Sequence, residues 1–187
     1  AGYGEAFCKE NLNDWGGADF QDLIAGIDDV ISTEPVDGAR LGIGGLSYGG
    51  YMTNWAITQT NLFKAAVSRN GISYLPTFSM QTDQTIWFDQ IMGGPGEDGE
   101  KLRRSRSALP FADRITTPLL LLHAADDLRC PWSESLQLFV VLRKRKHTVE
   151  LVRFPNTSHL LDFPHVGTPK QRVDRLRRTV EWFERFV

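Results

Sequence analysis

The residues best suited to chemistry in this 187-residue sequence lie around Ser47. Gly45, Ser47 and Gly49 form a G-x-S-x-G pentapeptide, which follows an apolar run at residues 39–43 and precedes a segment of helix-like composition. On a sharp strand-to-helix turn the serine hydroxyl is exposed, and the two flanking glycines come close together. We therefore predict that Ser47 is a nucleophile, that Gly45 and Gly49 relieve that contact, and that the backbone N–H of Tyr48 donates to an oxyanion. The alternative is a glycine-rich turn with an incidental serine.

A nucleophilic serine requires a general base, and four histidines compete for that role. His159 directly follows the alternating segment 148–154, which makes it the favoured candidate. His123 ends an apolar run and is predicted to be a buried structural residue. His147 falls in a basic connection at the opposite end of the predicted sheet, which excludes it. His165 comes later in an irregular stretch and stays open.

The base in turn needs an orienting acid, and two adjacent aspartates are available for it. Asp126 and Asp127 follow the apolar run at 118–123, so both lie beyond the end of a predicted strand. The chain order of serine, then aspartate, then histidine is the order of α/β-hydrolases. The residues alone do not separate Asp126 from Asp127, and either could instead stabilise a loop as an Asx-turn.

The elements that must position these groups alternate between helix and strand. We predict strands at 40–44, 63–68, 118–123 and 148–154, with loop over 1–18 and with short helices and loops over 71–112. Among the longer helices, we predict that Asp19 caps one that stops before Pro35 and that Ser133 caps one that runs to about Lys146. Two more are predicted from Ser47 to about Thr60 and from Pro169 onward. This alternation indicates one α/β domain with a mostly parallel sheet between helices.

Composition narrows the classes of partner and cofactor. The net charge of −2 gives no reason to expect a nucleic-acid or membrane partner. Two cysteines, Cys8 and Cys130, do not make a disulfide framework and favour a reducing, cytoplasmic setting. We find no metal-ligand cluster, phosphate loop or dinucleotide fingerprint, so we expect no metal and no cofactor.

Beyond single residues, several spaced stretches form a wider pattern. They are residues 2–4, 14–16 and 19–22 ahead of the serine, then residues 42–52, 123–131 and 152–159 around the serine, acid and histidine. Together these stretches resemble the catalytic domain of the prolyl oligopeptidase family of serine peptidases, most closely its acylaminoacyl-peptidase-like branch. In that family the acid lies four residues after a histidine, so the resemblance selects Asp127 over Asp126.

The resemblance implies a partial α/β-hydrolase fold. Residues 1–187 would be the C-terminal part of the catalytic domain, without the family's N-terminal β-propeller, first strands and His-Gly-Gly-like loop, which supplies an oxyanion donor. The strand before Ser47 would then have an uncovered edge, and such an edge favours association. We therefore expect this chain to associate with the missing N-terminal part or with copies of itself.

The resemblance also implies a serine peptidase that hydrolyses short peptides, N-acylated ones among them, through a Ser-His-Asp acyl-enzyme mechanism. Phe78, Trp87 and Phe88 are candidates for an apolar substrate pocket, although helix packing explains them equally well. A carboxylesterase or lipase-like hydrolase with the same triad is one alternative. An inactive fragment that needs its N-terminal part is another.

Overall fold

A computed structural model describes residues 2–160, 163 and 166–187 of the chain. His165, one of the competing histidines, lies outside these residues. Four strands form one parallel sheet in the order β1-β2-β3-β4. They are β1 (Leu41–Leu46), β2 (Phe63–Arg69), β3 (Leu119–Ala124) and β4 (Val149–Phe154). All four predicted strands are therefore present, and β1 runs two residues further than predicted because Gly45 and Leu46 still pair with β2.

The helices lie between and around these strands. They are α1 (Glu5–Lys9), α2 (Ala18–Thr33), α3 (Tyr48–Gln59), α4 (Leu75–Gln81), α5 (Thr85–Ile91), α6 (Glu97–Ser105), α7 (Ser133–Lys144) and α8 (Pro169–Phe186), with a 3₁₀ helix at Leu109–Arg114. The prediction of short helices over 71–112 is confirmed. The loop predicted over 1–18 was wrong in part, because α1 forms there.

Two predicted helix caps were also wrong. Gly17, and not Asp19, occupies the N-cap of α2, and the carboxylate of Asp14 accepts the backbone N–H of Ala18. Trp132 precedes α7, while the hydroxyl of Ser133 donates to the side chain of Gln81. The carboxylate of Asp19 instead accepts the hydroxyl of Tyr48, so both Asp19 and Ser133 have a distant side-chain partner.

The core lies on both faces of the sheet, and β3 is buried along its whole length. The larger cluster includes side chains of α3 and α7, such as Trp55 and Leu138. On the other face, Trp182 of α8 packs with residues of β2, β3 and β4. A parallel strand covered by helices on both faces is expected to be a continuous apolar run, which is what β3 shows in the sequence.

Among the described strands, β1 pairs with β2 alone, so its other side is the edge of this sheet. A groove of about 470 Å³ runs beside it, lined by apolar side chains of α2 and by Leu41 of β1. Within the described residues, no helix is long and apolar enough to cross a membrane. The expectation that another segment or another copy covers this edge stays a prediction.

Candidate active site

Ser47 lies on the tight turn between β1 and α3, as the pentapeptide predicts. Its φ of 62° and ψ of −118° lie outside the regions that ordinary residues prefer. A Cβ atom at Gly45 would approach the backbone of Gly49 to 2.4 Å, whereas a Cβ atom at Gly49 would have no neighbour within 4 Å. The prediction that both glycines are needed was therefore right for Gly45 and wrong for Gly49.

The structure brings together the three side chains that the sequence singles out. The Oγ atom of Ser47 lies 2.8 Å from Nε2 of His159, and Nδ1 of the same imidazole lies 2.7 Å from Oδ2 of Asp127. Because a carboxylate only accepts, Nδ1 carries the proton, which leaves Nε2 free to accept from the serine. This is the arrangement in which imidazole can remove a hydroxyl proton.

The backbone of the acid loop orients Asp127. Its other carboxylate oxygen, Oδ1, accepts hydrogen bonds from the backbone N–H groups of Arg129 at 2.9 Å and Cys130 at 2.8 Å. Asp127 is buried, whereas Asp126 is exposed. The geometry thus separates the two aspartates that the residues alone left equivalent.

The other described histidines have different partners. Nε2 of His123 lies 2.8 Å from the carbonyl oxygen of Cys130, so it donates, and Nδ1 accepts from the hydroxyl of Ser135 at 2.7 Å. The ring is fully buried, and burial lowers the pKa of His123 below its usual value. His147 bonds the carbonyl of Thr117, before the start of β3. The predictions of a structural His123 and a remote His147 are confirmed.

A cavity of about 290 Å³ opens beside Ser47. Phe78 and Trp87 line it, as the prediction for these two residues requires. Phe88 does not line it, because this ring is fully buried and packs edge-on against Phe78 at 4.8 Å and Trp15 at 5.4 Å. Phe88 therefore supports the cavity wall from behind.

Several lining residues were not found from the sequence: Trp15, Ile72, Gln84, Arg129, Cys130 and the side chain of Tyr48. Of these, Arg129 and Cys130 lie in the acid loop, so the acid motif at residues 123–131 already predicts that they lie near the site. Trp15 belongs to a stretch that gave no periodic signal. Its ring contacts that of Tyr48 at 4.8 Å, edge-on.

Two ionisable side chains beside Ser47, Tyr48 and Cys130, have pKa values above their usual ranges. Burial, together with the hydrogen bond from its hydroxyl to Asp19, raises the pKa of Tyr48 above its usual value. Burial, reinforced by the nearby Asp127 carboxylate, raises the pKa of the Cys130 thiol. Cys130 thus stays a protonated thiol near neutral pH and does not compete with Ser47 as a nucleophile.

The fully buried Glu134, in the first turn of α7, holds one wall of the cavity. Its carboxylate accepts from the backbone N–H groups of Ser73 and Tyr74 at 3.0 and 2.8 Å, and from the hydroxyl of Thr77 at 2.6 Å. These bonds fix the start of α4, which carries Phe78. Burial nevertheless raises the pKa of Glu134, because desolvation opposes the charge more than these donors favour it.

With this geometry established, comparison with known proteins identifies the chain's relatives. The sequence profile of the prolyl oligopeptidase family matches residues 1–187. The chain belongs to the prolyl oligopeptidase family. It is 43% identical to the uncharacterized peptidase YuxL of Bacillus subtilis, and covers 28% of that protein with 100% of its own length. It is 33% identical to dipeptidyl-peptidase 5 of Aspergillus oryzae, over 85% of the chain and 22% of that relative.

Solved structures of this family superpose closely on the chain. An acylaminoacyl peptidase of Pyrococcus horikoshii matches with a TM-score of 0.94 and 40% identity, over 99% of this chain and 30% of that one. A puromycin-hydrolyzing peptidase of Mycobacterium tuberculosis matches with a TM-score of 0.90 and 32% identity, over 100% of this chain and 28% of that one. The chain thus has the fold of α/β-hydrolase peptidases and spans under a third of the length of these relatives.

Proposed function

We propose that this chain carries the catalytic triad of a serine peptidase, with Ser47 as nucleophile, His159 as general base and acid, and Asp127 as the group that orients His159. The observation that carries the proposal is the continuous pair of hydrogen bonds from Ser47 through His159 to Asp127, at 2.8 and 2.7 Å. Family membership supports it, because the relatives of this chain are peptidases.

In the proposed reaction, Oγ of Ser47 attacks the carbonyl carbon of a peptide while Nε2 of His159 accepts the hydroxyl proton. The oxyanion that forms is stabilised by the backbone N–H of Tyr48. This N–H lies in the first turn of α3, where it has no carbonyl partner within the helix. As the C–N bond breaks, His159 returns the proton to the leaving amine. Water then hydrolyses the acyl-enzyme by the same proton transfers and releases the acid.

We infer that the substrates are short peptides, N-acylated ones among them, with an apolar side chain next to the cleaved bond. The aromatic wall formed by Phe78 and Trp87 supports this. One solved relative, 40% identical to this chain, is an acylaminoacyl peptidase in complex with Z-Gly-Gly-Phe-chloromethyl ketone, a peptidyl inhibitor that ends in phenylalanine. A cavity of about 290 Å³ suits one such side chain.

We further propose that residues 1–187 are the C-terminal part of a longer hydrolase domain, and that the uncovered edge of β1 and the adjoining groove receive either the preceding strands or a second copy. The match to less than a third of each solved relative supports this. The second oxyanion donor would come from that preceding part. Cys8 and Cys130 are both free thiols, which fits the cytoplasmic location that we keep as a proposal.

The test is turnover of an N-acylated peptide p-nitroanilide by the intact natural protein, beside a p-nitrophenyl ester of the same acyl group. We expect hydrolysis of both, and loss of both in Ser47→Ala. Ser105→Ala, a change at an exposed serine on α6, is the matched control. Hydrolysis of the ester alone would favour a carboxylesterase, and unchanged peptide turnover in Ser47→Ala would refute the assignment of Ser47.

A further inference from the structure

The carboxyl end of β2 lies between the loops that carry Ser47 and Asp127, and the loop that carries His159 follows β4, on the far side of β3. β2 is flanked by β1, which leads to Ser47, and by β3, which leads to Asp127. The backbone N–H of Ser47 donates to the carbonyl of Arg69, the last residue of β2, at 2.9 Å. The next residue, Asn70, is almost completely buried, and the sequence gave no reason to assign it a role.

Asn70 links two of the neighbouring segments through its side chain. Its Oδ1 atom accepts from the backbone N–H of Ala124, the last residue of β3, at 2.8 Å. Its Nδ2 atom donates to the backbone carbonyl of His159 at 2.8 Å. Its own backbone N–H donates to Leu122 of β3 at 2.9 Å. One carboxamide therefore joins the end of β3 to the residue that carries the imidazole.

The backbone at this position is adapted to that side chain. Asn70 has a φ of 44°, in the left-handed region that asparagine tolerates better than most residues. This conformation ends β2 and turns the chain toward the segment that leads to α4. Asn70 is thus buried, and both ends of its amide are hydrogen-bonded, so it has little freedom to move.

We propose that Asn70 is a positioning residue for the triad, which fixes the backbone of His159 so that the imidazole reaches Ser47 and Asp127 at the same time. The proposal rests on the proposed function. His159 must satisfy two hydrogen bonds, at 2.8 and 2.7 Å, through one rigid ring. Release of its carbonyl would let the ring drift, and a misplacement of about 1 Å can cost about 100-fold in rate.

Two substitutions distinguish the hydrogen bond to His159 from the hydrogen bond to Ala124. Asn70→Gly removes both hydrogen bonds and keeps a residue that adopts positive φ without strain. Asn70→Asp keeps an acceptor for the N–H of Ala124 but has no donor for the carbonyl of His159. If Asn70 acts by holding His159, both variants lower kcat by about 10- to 100-fold with KM nearly unchanged, and the aspartate is no better than the glycine.

A matched control lies at the amino-terminal ends of β2 and β3, opposite the end where Asn70 lies. The buried hydroxyl of Thr117, just before β3, donates to the carbonyl of Phe63 in β2 at 3.0 Å. Thr117→Val removes this bond far from Ser47. We expect it to lower the thermal midpoint of unfolding while kcat stays at the wild-type value, which separates loss of stability from loss of positioning.

The experiment measures kcat and KM for peptide hydrolysis by the intact protein, with kcat expressed per active site titrated to completion by a fluorophosphonate, so that unfolded protein does not count. Unchanged kcat in Asn70→Gly, or wild-type kcat in Asn70→Asp, would overturn the role of Asn70. An inactive wild type, or an active Ser47→Ala, would instead refute the proposed function. Loss of kcat in both Asn70 variants, with Thr117→Val active, would support the proposal.

Discussion

Replacing Asp127 by asparagine is expected to lower kcat by about 10⁴-fold while the fold is retained. The reason is geometric. Oδ1 of Asp127 accepts two backbone N–H groups, those of Arg129 and Cys130, at 2.9 and 2.8 Å. In the variant these two donors hold the amide oxygen, because an NH₂ group there would face two donors. The NH₂ group must then point at Nδ1 of His159, which is forced to accept. The imidazole proton moves to Nε2, faces the hydroxyl of Ser47 and blocks its role as base.

A 10⁴-fold loss corresponds to about 5.5 kcal/mol of transition-state stabilisation. The expected loss of folding stability is smaller, about 1–3 kcal/mol, because both backbone hydrogen bonds to Asp127 are kept. The assay is kcat for an N-acylated peptide p-nitroanilide in the intact protein, with a urea unfolding curve measured alongside. Asp126→Asn, a change at the exposed neighbour, is the matched control and should behave like the wild type. An Asp127→Asn variant that kept more than about a tenth of the wild-type kcat would refute this reasoning.

Three further predictions follow from the same geometry. Gly45→Ala should lower the free energy of unfolding, measured in urea, by about 3 kcal/mol, because the new Cβ atom would approach the backbone of Gly49 to 2.4 Å. Gly49→Ala should change the same free energy by less than about 1 kcal/mol. Burial lowers the pKa of His123, so that below pH 6.5 the unfolded chain binds a proton at this imidazole more readily than the folded chain does. The thermal midpoint of unfolding should therefore decrease as the pH falls below 6.5, and it should decrease less in His123→Gln. Phe88→Ala should lower the free energy of unfolding by about 3–5 kcal/mol, whereas Trp87→Ala, at a half-exposed ring, should mainly raise KM for peptides with an aromatic side chain at the cleaved bond. Equal losses of stability in Phe88→Ala and Trp87→Ala would contradict the distinction between core and cavity wall.

Much of the scaffold could be predicted from the sequence because its signals are local. The strands of a covered parallel sheet are short apolar runs, and β3 is the clearest case. The turn at Ser47 has a steric requirement that only glycine meets at position 45. Ser47, His159 and the adjacent pair Asp126 and Asp127 could be placed on one edge because the carboxyl ends of parallel strands lie together, whereas only the family resemblance selected Asp127 from that pair.

The remaining features depend on contacts between distant residues. Phe88 and Trp87 are adjacent in a short helix, and only the packing of that helix decides which ring enters the core and which faces the cavity. Asn70 joins residues 54 and 89 positions away, a link that no periodicity or spacing in the sequence marks. Asp19 was expected to cap a helix, but its carboxylate bonds the hydroxyl of Tyr48 beside the nucleophile.

The proposed reaction requires that Ser47 is a nucleophile activated by His159. The most direct test is labelling of the intact protein with a fluorophosphonate probe, with the modified residue mapped by mass spectrometry. We expect stoichiometric labelling of Ser47, loss of labelling in His159→Ala, and unchanged labelling in His147→Ala, whose imidazole bonds the backbone carbonyl of Thr117 just before β3. Labelling of another residue, or a folded protein in which Ser47 stays unmodified, would contradict it.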